Sequence, residues 1–314
     1  MTILATMLPI ALIYATPILI AALGGLYSER SGVVNIALEG IMMVGAFAAA
    51  SVTVVLEPSP LAGYYGILAG VAAGTAFSLL HAFASVHLKA DQVVSGTALN
   101  LLAGGLTIYL WQIFFDQQRT TAFATGLAKV SVPGLAAVPW LGPALFKDVY
   151  PTSWMALLLV LLTWFIMAKT PFGLRLRACG EHPQAAASMG IQVVRMRYVG
   201  VLISGALAGL AGAAMVLTQD IQYSLTSVHG TGFIALACLI FGKWNPFGVL
   251  GAGLFFGLSQ AASIYAKDIP LLQAVPSDFF FMLPYVLTVI ALVVFSGKSV
   301  GPKAAGQPYD PGRR

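Results

Sequence analysis

Charge is what this chain most lacks: 9% of its 314 residues are Asp, Glu, Lys or Arg, where an ordinary soluble domain carries about 25%. Cysteine is scarce as well. Cys179 and Cys238 stand far apart and provide neither a metal spacing nor a disulfide framework. The four histidines, His81, His87, His182 and His229, have no ligand spacing and no carboxylate companions, and no Ser, His and Asp set gathers in one loop, which argues against a membrane-embedded enzyme. Gly297, Lys298 and Ser299 match the end of a P-loop, but Leu292 occupies the place of its first glycine, so ATP is not bound in that way. The first 24 residues contain no Lys or Arg. A cleavable secretory signal needs a basic n-region, so this segment is expected to be a retained first span.

What the chain has is oil and glycine. Hydrophobic residues make up 59% of it, with 33 glycines and a mean hydropathy of +0.88. The solvent for most of such a chain is lipid. The expected fold class is therefore all-α, a polytopic integral membrane helical bundle. Apolar runs at 3–24, 33–56, 62–86, 93–115, 153–168, 198–217, 231–242, 247–265 and 279–296 give about nine spans, in a range of roughly eight to ten.

The net charge of +5 is explained by topology rather than by a nucleic-acid partner. Placing loop 169–197 in the cytoplasm puts the N-terminus outside and the C-terminus inside. Arg30, Lys89, Lys169, Arg175, Arg177, Arg195, Arg197, Lys243, Lys298, Lys303, Arg313 and Arg314 then lie inside, twelve of the sixteen basic residues. Glu57, Asp116, Asp148, Asp220, Asp268 and Asp278 lie outside. One transmembrane domain is expected over 1–296, with a Pro- and Gly-rich external cap at 116–152 and a flexible cytoplasmic tail at 297–314.

Within the spans, Gly66, Gly70 and Gly74, Gly205 and Gly209, and Gly253 and Gly257 recur every fourth residue. Such faces let helix backbones approach closely where lipid supplies no hydrophobic drive for association. Polar groups in the hydrocarbon carry more functional weight. Glu39 is the clear ionisable case, one turn beyond Asn35 and on the same helix face at i and i+4, about 10 Å below the cytoplasmic edge. It is either structural glue or part of a permeation route. In span 93–115, Thr97, Asn100, Gly104, Thr107 and Trp111 form a stripe able to hydrogen-bond hydroxyls and stack on a flat ring, or to bond neighbouring helices. Asn35, Glu39, Thr97, Asn100 and Trp111 are the candidate solute-pathway residues.

The segment 169–197, KTPFGLRLRACGEHPQAAASMGIQVVRMR, is polar, basic and helix-prone. Pro183 suits a first turn, the alanines favour continuation and Gly190 can end the helix. A short helix between arginine-rich arms suits the groove of a soluble partner, or simply anchors in lipid headgroups.

At these residues the chain resembles a known family. GEHPQAAASMGI at 180–191 looks like the cytoplasmic "EAA"-related coupling motif of bacterial ABC importer permeases. SERSGVVNIALEGIMMVGA at 28–46 and GTGFIALACLIFGKWNPFGVLGAGLFFG at 230–257 resemble signatures of the branched-chain amino acid and ribose permease type, in the nucleoside and simple-sugar branch. The length is similar to that of the shorter permease in systems that pair two different ones. The resemblance implies a second permease, cytoplasmic ATP-binding subunits that hold ATP and Mg, an external substrate-binding protein, no cofactor in this chain, and residence in the bacterial inner membrane. It implies ATPase coupling through Gly180, Glu181, His182, Pro183, Ala185, Ala186 and Gly190, with His182 where Asn is commoner. The alternative is an ATP-independent facilitator or an ion-coupled carrier using Glu39.

Overall fold

A computed structural model describes residues 2–116, 146–228, 230–266 and 301–310, with scattered positions between 120 and 142, between 275 and 290, and Gly312. Its helices are α1 (Thr2–Arg30), α2 (Leu38–Leu56), α3 (Ala62–Ala82, extended by a π turn Phe83–His87), α4 (Gln92–Phe115), α5 (Pro151–Lys169), α6 (Pro171–Glu181), α7 (Pro183–Ser188), α8 (Val193–Thr218), α9 (Thr231–Phe241) and α10 (Pro246–Tyr265). Among the described residues seven helices are long and apolar enough to cross a membrane, and α9 is a shorter apolar helix. The span expected at 279–296 lies for the most part outside the described residues.

Helix α8 is the axis of the bundle and packs on α1, α2 and α3. Its most apolar window is 72% buried, against 22% for α4, so α4 is peripheral and presents Leu101, Tyr109, Ile113 and Phe114 outward. The centre is a glycine seam. A methyl group placed on Gly74 would lie 2.6 Å from the Gly205 carbonyl oxygen, and one on Gly45 would lie 2.6 Å from the Gly209 Cα. Backbones of α2, α3 and α8 therefore touch directly, and dispersion and close packing hold them where lipid gives no apolar drive. On the other flank, Gly253 receives Leu19 and Gly257 receives Ala11 and Ala15, which seats α10 on α1.

Between α1 and α2 the chain is not helical. Gly32, at φ +95°, closes α1: Val33 N–H donates to the Ser28 carbonyl at 3.1 Å and Gly32 N–H to the Glu29 carbonyl at 3.0 Å, the Schellman pattern that a glycine at this position permits. Residues 33–35 are then not helical. Asn35 and Glu39 do not share a helix face, as the apolar periodicity suggested, because Gly32 ends the first helix and α2 begins only at Leu38.

One end of the bundle gathers Arg30, Lys89, Glu181, Arg197 and Trp244 with the C-terminal segment. Arg30 Nη2 donates to the Trp244 carbonyl at 2.9 Å, and Nη1 lies 3.8 Å from Glu181 Oε1. At the other end, Thr120 N–H donates to the Tyr223 carbonyl at 3.1 Å, Phe123 N–H to the Ile221 carbonyl at 2.9 Å and Leu127 N–H to the Leu217 carbonyl at 3.2 Å.

Candidate solute path and coupling end

Backbone that leaves helical geometry inside a membrane must find partners in the protein. The segment before α2 finds them in side chains of α3 and α4. His81 Nε2 faces the Val34 carbonyl at 3.0 Å and Nδ1 faces Ser95 Oγ at 3.1 Å, which suits the neutral ring protonated on Nε2. Gln92 Oε1 accepts from Val34 N–H at 2.7 Å. Asn100 bridges the gap, donating to the Ile36 carbonyl at 3.0 Å and accepting from Gly40 N–H at 2.8 Å. Asn35 is fully buried and donates to Ser204 Oγ of α8 at 2.9 Å.

Glu39 sits in the first turn of α2 and reaches across to the start of α9. Its Oε1 accepts from Gly230 N–H at 2.8 Å and its Oε2 from Gly232 N–H at 2.7 Å. Gly230 adopts φ +78°, and a methyl group on Gly232 would lie 2.6 Å from the Glu39 Cα. The two glycines thus allow a carboxylate to seat directly on a helix N-terminus, where the partial positive charge of the helix favours it. Two non-helical entries into the bundle, before α2 and before α9, meet at this residue.

The other candidates of the sequence take different places. Thr97 is exposed and bonds its own helix at the Val93 carbonyl. The inward face of α4 runs Gly96, Asn100, Ala103, Thr107 and Trp111, which keeps Asn100, Thr107 and Trp111 of the expected stripe and puts Gly96 and Ala103 where Thr97 and Gly104 were expected. Trp111 is 2% exposed and packs on Phe47 and Tyr223 with ring centroids 6.5 and 5.2 Å apart. Its ring faces are occupied by the protein rather than free for a solute.

Polar groups that face open space lie elsewhere. A cavity of about 480 Å³ opens between α1, α8, α9 and α10, away from the basic end, lined by Tyr14, Gln219, Asp220, Ser227, Thr231 and Gln260 over apolar walls. Sequence periodicity missed it because Gln219, Asp220 and Ser227 lie beyond the end of α8 and Tyr14, Thr231 and Gln260 are single polar residues on three helices. Thr231, the first residue of α9, connects this cavity to the Glu39 junction.

At the basic end, α6 and α7 form an angled pair. Pro183 occupies the first turn of α7, and Gly190 beyond its end has φ +79°. Gly180, Pro183 and Ala186 are buried within the chain itself. Gly180 lies against the Arg30 carbonyl, and Ala186 packs with Cys179 and Val193. The outward face is His182, Gln184, Ala185, Ser188, Met189 and Gly190, with Met189 82% exposed. Of the expected coupling residues, Gly180, Pro183 and Ala186 thus face the chain itself, since the small residues that favour the helix also let it pack inward, while His182, Ala185 and Gly190 lie on the outward face. Met189, which the sequence reading passed over, stands out most, beside a groove of about 570 Å³ that Arg175 and Arg195 also line.

The tail, which composition reads as flexible, returns to this end. Ala304 N–H donates to the Gly180 carbonyl at 2.8 Å. The fully buried Arg197 donates through Nη1 to the Gln307 carbonyl at 2.8 Å and lies 5.9 Å from the Tyr309 ring. Lys89 Nζ pairs with Asp310 at 3.0 Å. These backbone acceptors give a Gly- and Pro-rich segment the partners that its own composition does not promise. Deleting residues 301–314 is expected to free α6 and α7 and to speed tryptic cleavage after Arg177 and Arg195 several-fold in otherwise folded protein. Unchanged cleavage would mean that the tail does not hold the loop.

The family described as branched-chain amino acid transport system permease component matches residues 7–292. The chain is 46% identical to the "Guanosine ABC transporter permease protein NupQ" of Bacillus subtilis, covering 99% of this chain and 98% of the relative. It is 42% identical to the "Nucleoside ABC transporter permease protein NupC" of Lactococcus lactis, over 95% of this chain and 94% of the relative. A second Bacillus subtilis protein, "Guanosine ABC transporter permease protein NupP", is 27% identical over 91% of this chain and 80% of its own length.

Proposed function

This chain belongs to the branched-chain amino acid transport system permease component family, and from that premise we propose that it is the membrane subunit of an ATP-driven importer that carries nucleosides inward by alternating access. It is a multi-pass protein of the inner membrane and a permease component rather than a catalytic one. The single observation that carries the nucleoside assignment is the near full-length identity to two relatives named for guanosine and nucleoside transport.

In this proposal the basic end faces the cytoplasm, in keeping with the excess of Lys and Arg expected on that side. A separate cytoplasmic subunit binds ATP and Mg and engages α7. An external binding protein delivers the solute to the opposite end. The second permease is a diverged paralogue: this chain is similar at 46% and at 27% to two guanosine permease proteins of one organism, a pattern that a pair of unlike permeases would leave. An ion-coupled carrier working through Glu39 is less favoured, because both of its carboxylate oxygens are engaged by backbone amides.

Docking at α7 is tested at its outward face. Met189→Glu places a charge where an apolar side chain of 82% exposure stands; a buried apolar anchor at an interface contributes about 2 kcal/mol or more. Recovery of the ATP-binding subunit with the tagged permease is expected to drop by about tenfold or more, while insertion stays normal. Full recovery of the ATPase with this variant would remove α7 from the interface.

A further inference from the structure

We propose that the cavity between α1, α8, α9 and α10 is a binding site for a neutral, hydroxyl-rich solute, and that its chemistry turns away carboxylates and phosphates. This deepens the importer proposal and rests on it for the identity of the solute as a nucleoside. Six polar side chains converge on about 480 Å³: Tyr14, Gln219, Asp220, Ser227, Thr231 and Gln260. That volume falls in the range of roughly 300–1,000 Å³ typical of small-molecule sites. Hydroxyls, carboxamides and one carboxylate are the groups that exchange hydrogen bonds with the hydroxyls of a sugar ring.

What the wall lacks is as informative. None of its described lining residues is Lys, Arg or His. Its one acid, Asp220, lies within electrostatic range of the Tyr14 hydroxyl.

Among the described residues, positive partial charge comes from the start of α9, whose first residue, Thr231, lines the cavity. A helix N-terminus with open amides would take the carboxylate of an amino acid or a phosphate. Here the amides are committed. Gly230 and Gly232 donate to Glu39, Thr231 N–H donates to the Val228 carbonyl at 2.9 Å, and Phe233 N–H to the Gly230 carbonyl at 3.0 Å. The Glu39 carboxylate already occupies the place that an anionic solute group would need. The cavity is thereby biased from behind against zwitterionic amino acids and nucleotides, and Glu39 acts as a positioning and specificity residue without touching the solute.

The charge bias can be read without transport. Ser227→Cys and, separately, Gln260→Cys in the full chain in native membrane vesicles would be labelled with a neutral methanethiosulfonate and with its anionic sulfonatoethyl counterpart. The two native thiols give a low background, because Cys179 and Cys238 are buried and burial pushes the Cys179 thiol up to about 11. Normalised to a free thiol, the neutral reagent should react about tenfold faster, the scale that one nearby charge at low dielectric supplies. A nucleoside should protect the cysteine where leucine or a nucleotide does not.

Equal rates for the two reagents, protection by leucine or a nucleotide, or no labelling at both positions would overturn the proposal. Failure of the importer proposal is separable. A chain that moves its solute without an ATP-binding subunit would lose that proposal and leave the labelling pattern intact. An ATP-driven nucleoside importer whose cavity labels without charge preference would lose this one alone.

Discussion

Glu39→Gln is expected to lower the stability of the detergent-solubilised chain by about 3 kcal/mol, read as a drop in its thermal midpoint. Two amides point at two carboxylate oxygens, at 2.8 and 2.7 Å. Glutamine keeps one acceptor and turns the other into an NH₂ donor that faces an N–H. One hydrogen bond is lost and a buried donor is left unsatisfied, at roughly 1–3 kcal/mol, and the charge that complements the α9 N-terminus is removed, at up to about 2 kcal/mol in a partly buried setting. Glu39→Asp should also destabilise, because a side chain one methylene shorter does not span both amides from the same Cα. Since α9 begins at the cavity, uptake should fall with stability in both variants. A Glu39→Gln protein with an unchanged midpoint but abolished uptake would reverse the assignment and give the carboxylate a direct part in permeation.

Gly209→Val should produce the largest loss of all, with little folded protein recovered after mild extraction. A Cβ at this position runs into the Gly70 carbonyl of α3 and lies 3.0 Å from the Gly74 Cα. Those neighbours are main chain and have no rotamer to change. Overpacking a tight core typically costs about 1–3 kcal/mol, and here relief requires α3 and α8 to separate along the whole seam, which removes the close contacts that hold them in lipid. Gly251 of α10 is the matched control, since nothing lies within 4 Å of a methyl group placed there. Gly251→Ala should be neutral or slightly stabilising, by up to about 1 kcal/mol. A monodisperse, normally abundant Gly209→Val protein would show that the seam is not essential to the fold.

The seam was legible in the sequence because glycines at four-residue spacing speak through one helix at a time, and all three sets lie at helix contacts. The helices themselves were legible for the same reason. The break before α2 carried a signal too, in Gly32 followed by Val33 and Val34, but the apolar run continues through it and hides the interruption. Thr97 shows the limit of periodicity from the other side. Asn100, Thr107 and Trp111 of the expected stripe do turn inward, but Gly96 and Ala103 take the places given to Thr97 and Gly104, and the sequence of α4 alone does not make that choice.

What the amino-acid order determined unaided is the solvent and the material: a lipid-embedded, all-helical chain, glycine faces for close packing, a basic segment set apart as one end, and signatures that resemble a permease family. These follow from composition and from spacings within one turn or one helix, where neighbours in sequence are neighbours in space. Only the tertiary structure decided how the scarce polar groups are used. His81 meets Val34, Asn100 meets Ile36 and Glu39 meets Gly230 across 47, 64 and 191 residues of chain, and Ala304 folds back on Gly180. A buried polar atom in a membrane takes whichever unsatisfied partner the packing brings within 3 Å or so. That choice belongs to the assembled bundle, which is why Asn100 and Glu39 meet the backbone of distant segments and the polar cavity is lined by residues that no single helix pattern singles out.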